Sequence, residues 1–162
     1  MRYAVITPSG ELAHHGDRFG TEDVDWDAVI GVEGKARVSL RSDLAATGWV
    51  NDVGLLDPSR YPRNIVGSCL LAAFGAAVQP YAGPVVVTGW NPEWTKVGLS
   101  EICNLPEPVT FLDTVHGDIL KALAGQTPRD LSPSWAESMR EIADHVRTAP
   151  TPGLTIRSVR LR

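Results

Sequence analysis

The chain has 162 residues, 43% of them hydrophobic and 21% charged, which is enough for one domain with a sizeable core, or one domain with an appendage. A net charge of −4 argues against the basic surface of a dedicated nucleic-acid binder and is far too mild for a mimic of the DNA phosphate backbone. The sequence holds no metal-ligand spacing, nucleophile elbow or phosphate loop, and it names no reaction by itself.

In chain order, residues 2–7 (RYAVIT) read as a first strand, residues 8–11 (PSGE) as a turn, and residues 12–15 as the returning arm of a hairpin. His14 and His15, followed by Asp17, raise the question of a metal site. Neighbouring side chains on an extended strand point to opposite faces, so the two rings read as surface polar groups. Glu22, Asp23, Asp25 and Asp27 precede Val29-Ile30-Gly31. Carboxylates in a first turn suit the positive end of a helix dipole, and Gly31 then ends a helix of two turns or so. The D-x-[DN]-x-[DN]-G pattern of a calcium loop is absent. Residues 35–40 (KARVSL) alternate as a strand. Residues 46–50 and 53–56 give further short strands, or one bent strand with Asn51-Asp52 at the bend.

The longest apolar runs follow. Residues 64–78 carry apolar side chains at three- and four-residue spacing, which predicts a helix with Asn64 as N-cap; Pro62 is the alternative marker of its first turn. Gly75 then lies inside the helix at a cost of roughly 1 kcal/mol, and Gln79-Pro80 ends it. Its small residues allow close packing on a sheet. Residues 85–88 (VVVT), led in by Gly83-Pro84, form a strand buried on both faces, with Pro84 at its first position.

These stretches also carry a resemblance. YAVITPSGEL, VIGVEGKARVSL, WVNDVGLL, the asparagine-led NIVGSCLLAAFG and GPVVVTG resemble the uncharacterised domain-of-unknown-function family 3846, typical of phages, plasmids and actinobacterial genomes. The resemblance covers roughly residues 3–89 and implies a small mixed fold from a mobile-element setting. It carries no catalytic residue across, because the family has no assigned activity. The family's acidic residue after the asparagine of its central strand is matched by Asp52 after Asn51, whereas residues 57–63 form a longer insertion and the second half lies outside the pattern.

After the central strand comes Trp90-Asn91-Pro92-Glu93-Trp94, two tryptophans around a proline turn. Tyr81 precedes the strand and Trp49 stands in a neighbouring one. The rings either cap one end of the core or, with Asn51, Asp52 and Asn91, line a cleft. Residues 95–99 read as another strand. Residues 109–124 are helical after Pro108, starting from Asp113 or Thr114 and stopping at Gly125; His116 and Asp118 inside it do not face each other. Residues 132–146 give the clearest helix, with Ser132 as N-cap, Pro133 at N1 and a stripe of Trp135, Met139, Ile142 and Val146. Residues 154–161 form a closing strand, and Arg157, Arg160 and Arg162 make the tail basic, a foothold for phosphate.

The expectation is an α+β fold: a mostly antiparallel sheet, one central helix packed on it, and two additional C-terminal helices. Residues 1–100 form the core and residues 101–162 a helical extension packed on it. The preferred function is a non-enzymatic protein-interaction module of a phage, plasmid or other mobile element, binding a host or element-encoded protein. The alternatives are a nucleic-acid-associated accessory protein using Arg157, Arg160 and Arg162, or an enzyme with a cleft lined by Trp49, Asn51, Asp52, Tyr81, Trp90, Asn91 and Trp94, with Asp52 or His116 as general base. No metal or cofactor is expected, and a homodimer stays open. Cys69 reads as a small buried hydrophobe, pairing with Cys103 only if the fold brings them together. With no signal peptide and no 18-residue uncharged apolar run, a soluble cytoplasmic protein is the expectation.

Overall fold

A computed structural model describes residues 1–16, 23–107 and 110–151. In chain order these form β1 (Tyr3–Ile6), β2 (Leu12–His15), α1 (Trp26–Val29), β3 (Lys35–Val38), β4 (Ala46–Asn51), α2 (Ile65–Ala73), β5 (Val85–Trp90), β6 (Ile102–Cys103), α3 (Thr110–Leu123) and α4 (Pro133–Thr148). The strands make one antiparallel sheet in the order β2-β1-β5-β4-β3, with β6 pairing the far end of β5. Val85, Val86, Val87 and Thr88 lie at its centre with no exposed surface, as a β-branched run without alternation predicts. The α+β class, the antiparallel sheet, the central helix and the two C-terminal helices are as expected.

Alternation along each strand divides the sheet into two faces. Ala4, Ile6, Ala46, Gly48, Val50, Val85 and Val87 point toward the helical layer, where Leu70 and Leu71 of α2 are fully buried. Gly48 lets this happen, because a Cβ there would lie 2.7 Å from Leu71 Cδ2. The helices α3 and α4 pack on α2 and close the same core with Leu112, Ile119, Ala136 and Ala143. The buried line on α4 is Ala136, Met139, Ala143 and Val146, with Trp135 and Ile142 half-buried beside it.

Asn64 ties this layer to the sheet. Its Oδ1 accepts the Gly67 amide at 2.8 Å, the expected N-cap, while its Nδ2 donates to the carbonyls of Ile6 and Gly83 at 2.9 and 3.0 Å. The side chain is wholly buried and fully paired.

Several boundaries differ from expectation. The central helix stops at Ala73, not at Gln79-Pro80. Gly75 lies past its end with φ of +95°, where its amide bonds the Ala72 carbonyl and the Ala76 amide bonds the Leu71 carbonyl. That is the Schellman geometry, and glycine is there for its left-handed backbone. The acidic segment gives a single turn, α1, capped by Asp25 and ended at Gly31, instead of two turns. Strand β3 ends at Val38, short of Leu40. Residues 53–56 are no strand: Gly54–Leu56 is a 3₁₀ turn. Pro92–Val97 is another, where a strand over residues 95–99 was expected, because Asn91 caps it and Pro92 opens it. Helix α3 begins at Thr110, so Asp113 and Thr114 sit inside it and do not cap it. Strand β6 was not foreseen. The expected closing strand over residues 154–161 lies outside the described residues.

Candidate functional site

The second face of the sheet has no long helix on it among the described residues. Val5, Thr47, Trp49, Asn51, Val86, Thr88 and Trp90 point this way, joined on β3 by Lys35 and Arg37, which pair with Asn51 and Trp49. The single turn of α1 covers one part, bringing Trp26, Val29 and Ile30 against Trp49. Three indoles meet here: Trp26 and Trp49 at 5.3 Å between centroids and Trp49 and Trp90 at 6.0 Å, both inclined.

Trp49, in the middle, is buried, and its Nε1 donates to Thr88 Oγ1 at 2.9 Å. Trp26 and Trp90 are half-buried. Lys35 Nζ stands 4.7 Å from the Trp26 centroid and 5.7 Å from that of Trp49, and the Arg37 guanidinium lies 4.3 Å from the Trp90 ring. Tyr3 and His15 stack at 5.0 Å farther along the same face.

The seven expected binding residues do not share one cleft. Trp49 and Trp90 touch. Asn51, Asp52 and Tyr81 line a depression of about 370 Å³, whereas Trp90 and Asn91 line another of about 550 Å³ with Ser39, Ser42 and Cys103. Arg37 borders both. Trp94 is exposed on the 3₁₀ turn Pro92–Val97, and Tyr81 is a buried ring whose hydroxyl accepts from Gln79.

Asn51 is a structural bend residue. Its Oδ1 accepts the Val53 amide at 2.9 Å, and its Nδ2 reaches the Ile30 carbonyl at 3.1 Å and Glu33 Oε2 at 3.2 Å. Glu33 also accepts from the Tyr61 hydroxyl at 2.6 Å and pairs with Arg60. The Tyr61 hydrogen bond, followed by Glu33's own backbone amide, holds this carboxylate below its ordinary 4.5; burial opposes, while Asn51 and Arg60 add to the lowering. Tyr61 is raised above 10.0, first by that hydrogen bond and then by burial. The network fastens the segment after α1 to the sheet. Asp52 is exposed beside it.

The other titratable candidates have structural partners. His14 Nε2 lies 2.8 Å from Asp113 on the helical side, while His15 stacks on Tyr3 on the opposite face, the divergence expected of neighbours on a strand. His116 Nε2 contacts the Gly10 carbonyl at 2.7 Å. Cys69 and Cys103 are unpaired; burial raises the Cys69 thiol to about 11 and raises Cys103 as well. Among the described residues no group of three or more His, Cys, Asp or Glu side chains is placed to hold a metal ion. No helix there is long and apolar enough to cross a membrane. Arg157, Arg160 and Arg162 lie outside the described residues.

Sequence reasoning missed Lys35, Arg37, Trp26 and Tyr3 as part of the aromatic face. The available signal was the alternation of KARVSL, which puts Lys35 and Arg37 on one side of a strand. No family model matches the chain, and no curated protein or solved structure does so.

Proposed function

We propose that the protein is a non-enzymatic interaction module of a phage, plasmid or other mobile element that binds a host or element-encoded protein, with residues 91–99 making the central contact. The observation that carries this reading is the exposure of three large apolar side chains on one short segment: Trp94 at 38%, Val97 at 71% and Leu99 at 56%. Asn91 caps the segment through the Glu93 amide, and the Leu99 amide returns to the Trp94 carbonyl at 3.0 Å. The Glu93–Lys96 ion pair stands beside them. An exposed apolar cluster rimmed by charge is the kind of surface that marks an interaction site, and Trp94 within it is of the residue type that most often dominates such contacts. The mobile-element setting rests on the resemblance of the short motifs in residues 3–89.

The test is quantitative co-purification from cell lysate with the full chain and with a Trp94→Ala, Val97→Ser, Leu99→Ser variant. A partner retained by the parent chain and depleted about tenfold or more with the variant supports the reading. An identical set of retained proteins overturns it. So does a parent homodimer that the variant dissolves, which would make a second copy the occupant.

A further inference from the structure

Arg2, Arg41, Arg60, Lys96 and Arg147 each pair with a carboxylate. Arg63, Lys121, Arg129 and Arg140 lack a carboxylate partner among the described residues, so what sets the cations of the aromatic face apart is that rings stand where a carboxylate would. Lys35 and Arg37 pair with none among the described residues; their contacts are the rings of Trp26, Trp49 and Trp90. They stand two residues apart on the same face of β3, roughly 6.6 Å along the strand. Their charged ends lie over different rings, Lys35 over Trp26 and Trp49 and Arg37 over Trp90, so each can meet a phosphate of its own. Beside them the half-buried Trp90 opens onto the 550 Å³ depression, where Ser39, Ser42 and Asn91 offer polar groups. Asn91 uses its Oδ1 to cap Glu93, and its Nδ2 has no partner among the described residues. The Tyr3–His15 stack provides a second flat platform on the same face.

We propose that this face binds single-stranded nucleic acid, with Arg37 leaving the Trp90 ring for a phosphate, Trp90 then stacking a base in its place, and Lys35 contacting a neighbouring phosphate. Stacking needs bases whose faces are free, which a duplex does not offer to a sheet surface. Unpaired cations beside rings select a polyanion bearing planar groups over an acidic protein, which would supply charge alone. The nearby carboxylates do not cancel the site. Asp25 caps the Ala28 amide, and Glu33 is engaged by Tyr61, Arg60 and Asn51. Asp23 and Asp27 remain on the α1 side; at the Trp90 end Glu93 is paired with Lys96, and Glu101, next to the register partner of Trp90, is the carboxylate a bound strand has to pass. The overall charge of −4 then makes the binding local, with few phosphates engaged.

The experiment is fluorescence anisotropy of the full chain with labelled ten-nucleotide oligo-dT and oligo-U, a duplex of equal length, and poly-glutamate as competitor. Single strands are expected to bind and to quench tryptophan emission. Two phosphate contacts give a slope of log affinity against log salt of about −1.4. The double variant Lys35→Gln, Arg37→Gln changes exposed side chains and removes their ring contacts, so it should melt only a few degrees lower while losing about tenfold or more in affinity and most of the salt slope. Lys121→Gln with Arg129→Gln, on the helical side, should bind as the parent does, and so should the Trp94, Val97 and Leu99 variant. No single-strand binding at low salt, preference for the duplex, or equal competition by poly-glutamate would each overturn the proposal. Undiminished binding by the Lys35 and Arg37 variant would overturn it too, as would loss only on removal of residues 152–162, which would assign the phosphate contacts to Arg157, Arg160 and Arg162.

Discussion

The two faces of the sheet are built from alternate residues of the same strands, yet they are chemically unlike. Toward the helices the strands present Ala4, Ala46, Gly48, Val50, Val85 and Val87, small or branched groups that let α2 approach until Leu70 and Leu71 lose all contact with water. Away from the helices they present Trp49, Trp90, Lys35, Arg37 and Thr88, large rings and polar ends held by inclined stacking, cation–ring contacts and one indole–hydroxyl bond. Close-packed aliphatic surface is what stabilises a small domain most. Rings with accessible edges and cations without carboxylates contribute less to folding and remain able to meet a ligand. The difference separates the residues that hold the fold, the buried Trp49 and Thr88 among them, from Trp90, Lys35 and Arg37, which keep accessible surface for a ligand.

Leu70→Ala tests the helical face and should have the largest effect. A fully buried leucine replaced by alanine costs about 2–5 kcal/mol. The expected result is a lower urea midpoint with an unchanged denaturant slope. Binding by the fraction that stays folded should not change. A loss below about 1 kcal/mol would mean that the helical layer carries little of the stability, and the contrast between the faces would fail.

Trp49→Phe tests the open face. It removes the bond to Thr88 Oγ1 and part of the ring contact with Trp26 and Trp90, but keeps an aromatic group in a buried position. Thr88 still donates to the Gly89 carbonyl at 3.0 Å. The expected cost is about 1–3 kcal/mol, smaller than that of Leu70→Ala. Equality of the two losses in parallel urea melts would erase the asymmetry.

The helical face was legible in the sequence because its signals are local. The N-cap of Asn64 and the Ser132-Pro133 start are each fixed by a few neighbouring residues, and the run of branched residues at 85–88 announces burial without reference to the rest of the chain. Gly75 was misread because a glycine inside a helix and one just beyond its end look alike until φ is known. The 3₁₀ turn at Pro92–Val97 was hidden for a related reason: the cap at Asn91 outweighs the strand preference of residues 95–99. The open face was only partly legible. Trp49 and Trp90 were noticed one by one as tryptophans, but their contact depends on the register of β4 and β5, a long-range pairing that no short window encodes. Lys35 and Arg37 looked like ordinary strand polarity until that register put them beside the rings.

The smallest effect belongs to the junction where the open face meets the loop after α1, and it is expressed in pH. Glu33 has a folded pKa below 4.5, so the stability it contributes is present above that ordinary value and is lost as pH falls through the lowered one. Tyr61 has a folded pKa above 10.0, so its contribution is present below that value and is lost as pH rises through the raised one. Tyr61→Phe removes the largest cause of the Glu33 shift while Arg60 and Asn51 remain. The variant should be slightly less stable than the parent at neutral pH, with the gap closing as acid titrates Glu33. Urea melts from about pH 3 to about pH 8, together with a carbon-detected titration of the Glu33 carboxyl, read both effects. The Glu33 pKa should move up toward 4.5 in the variant. A gap that stays constant across the acid range would show that Tyr61 supports this corner by packing on Gly83 alone, and that the hydrogen bond to Glu33 is not what fastens α1 beside the tryptophans.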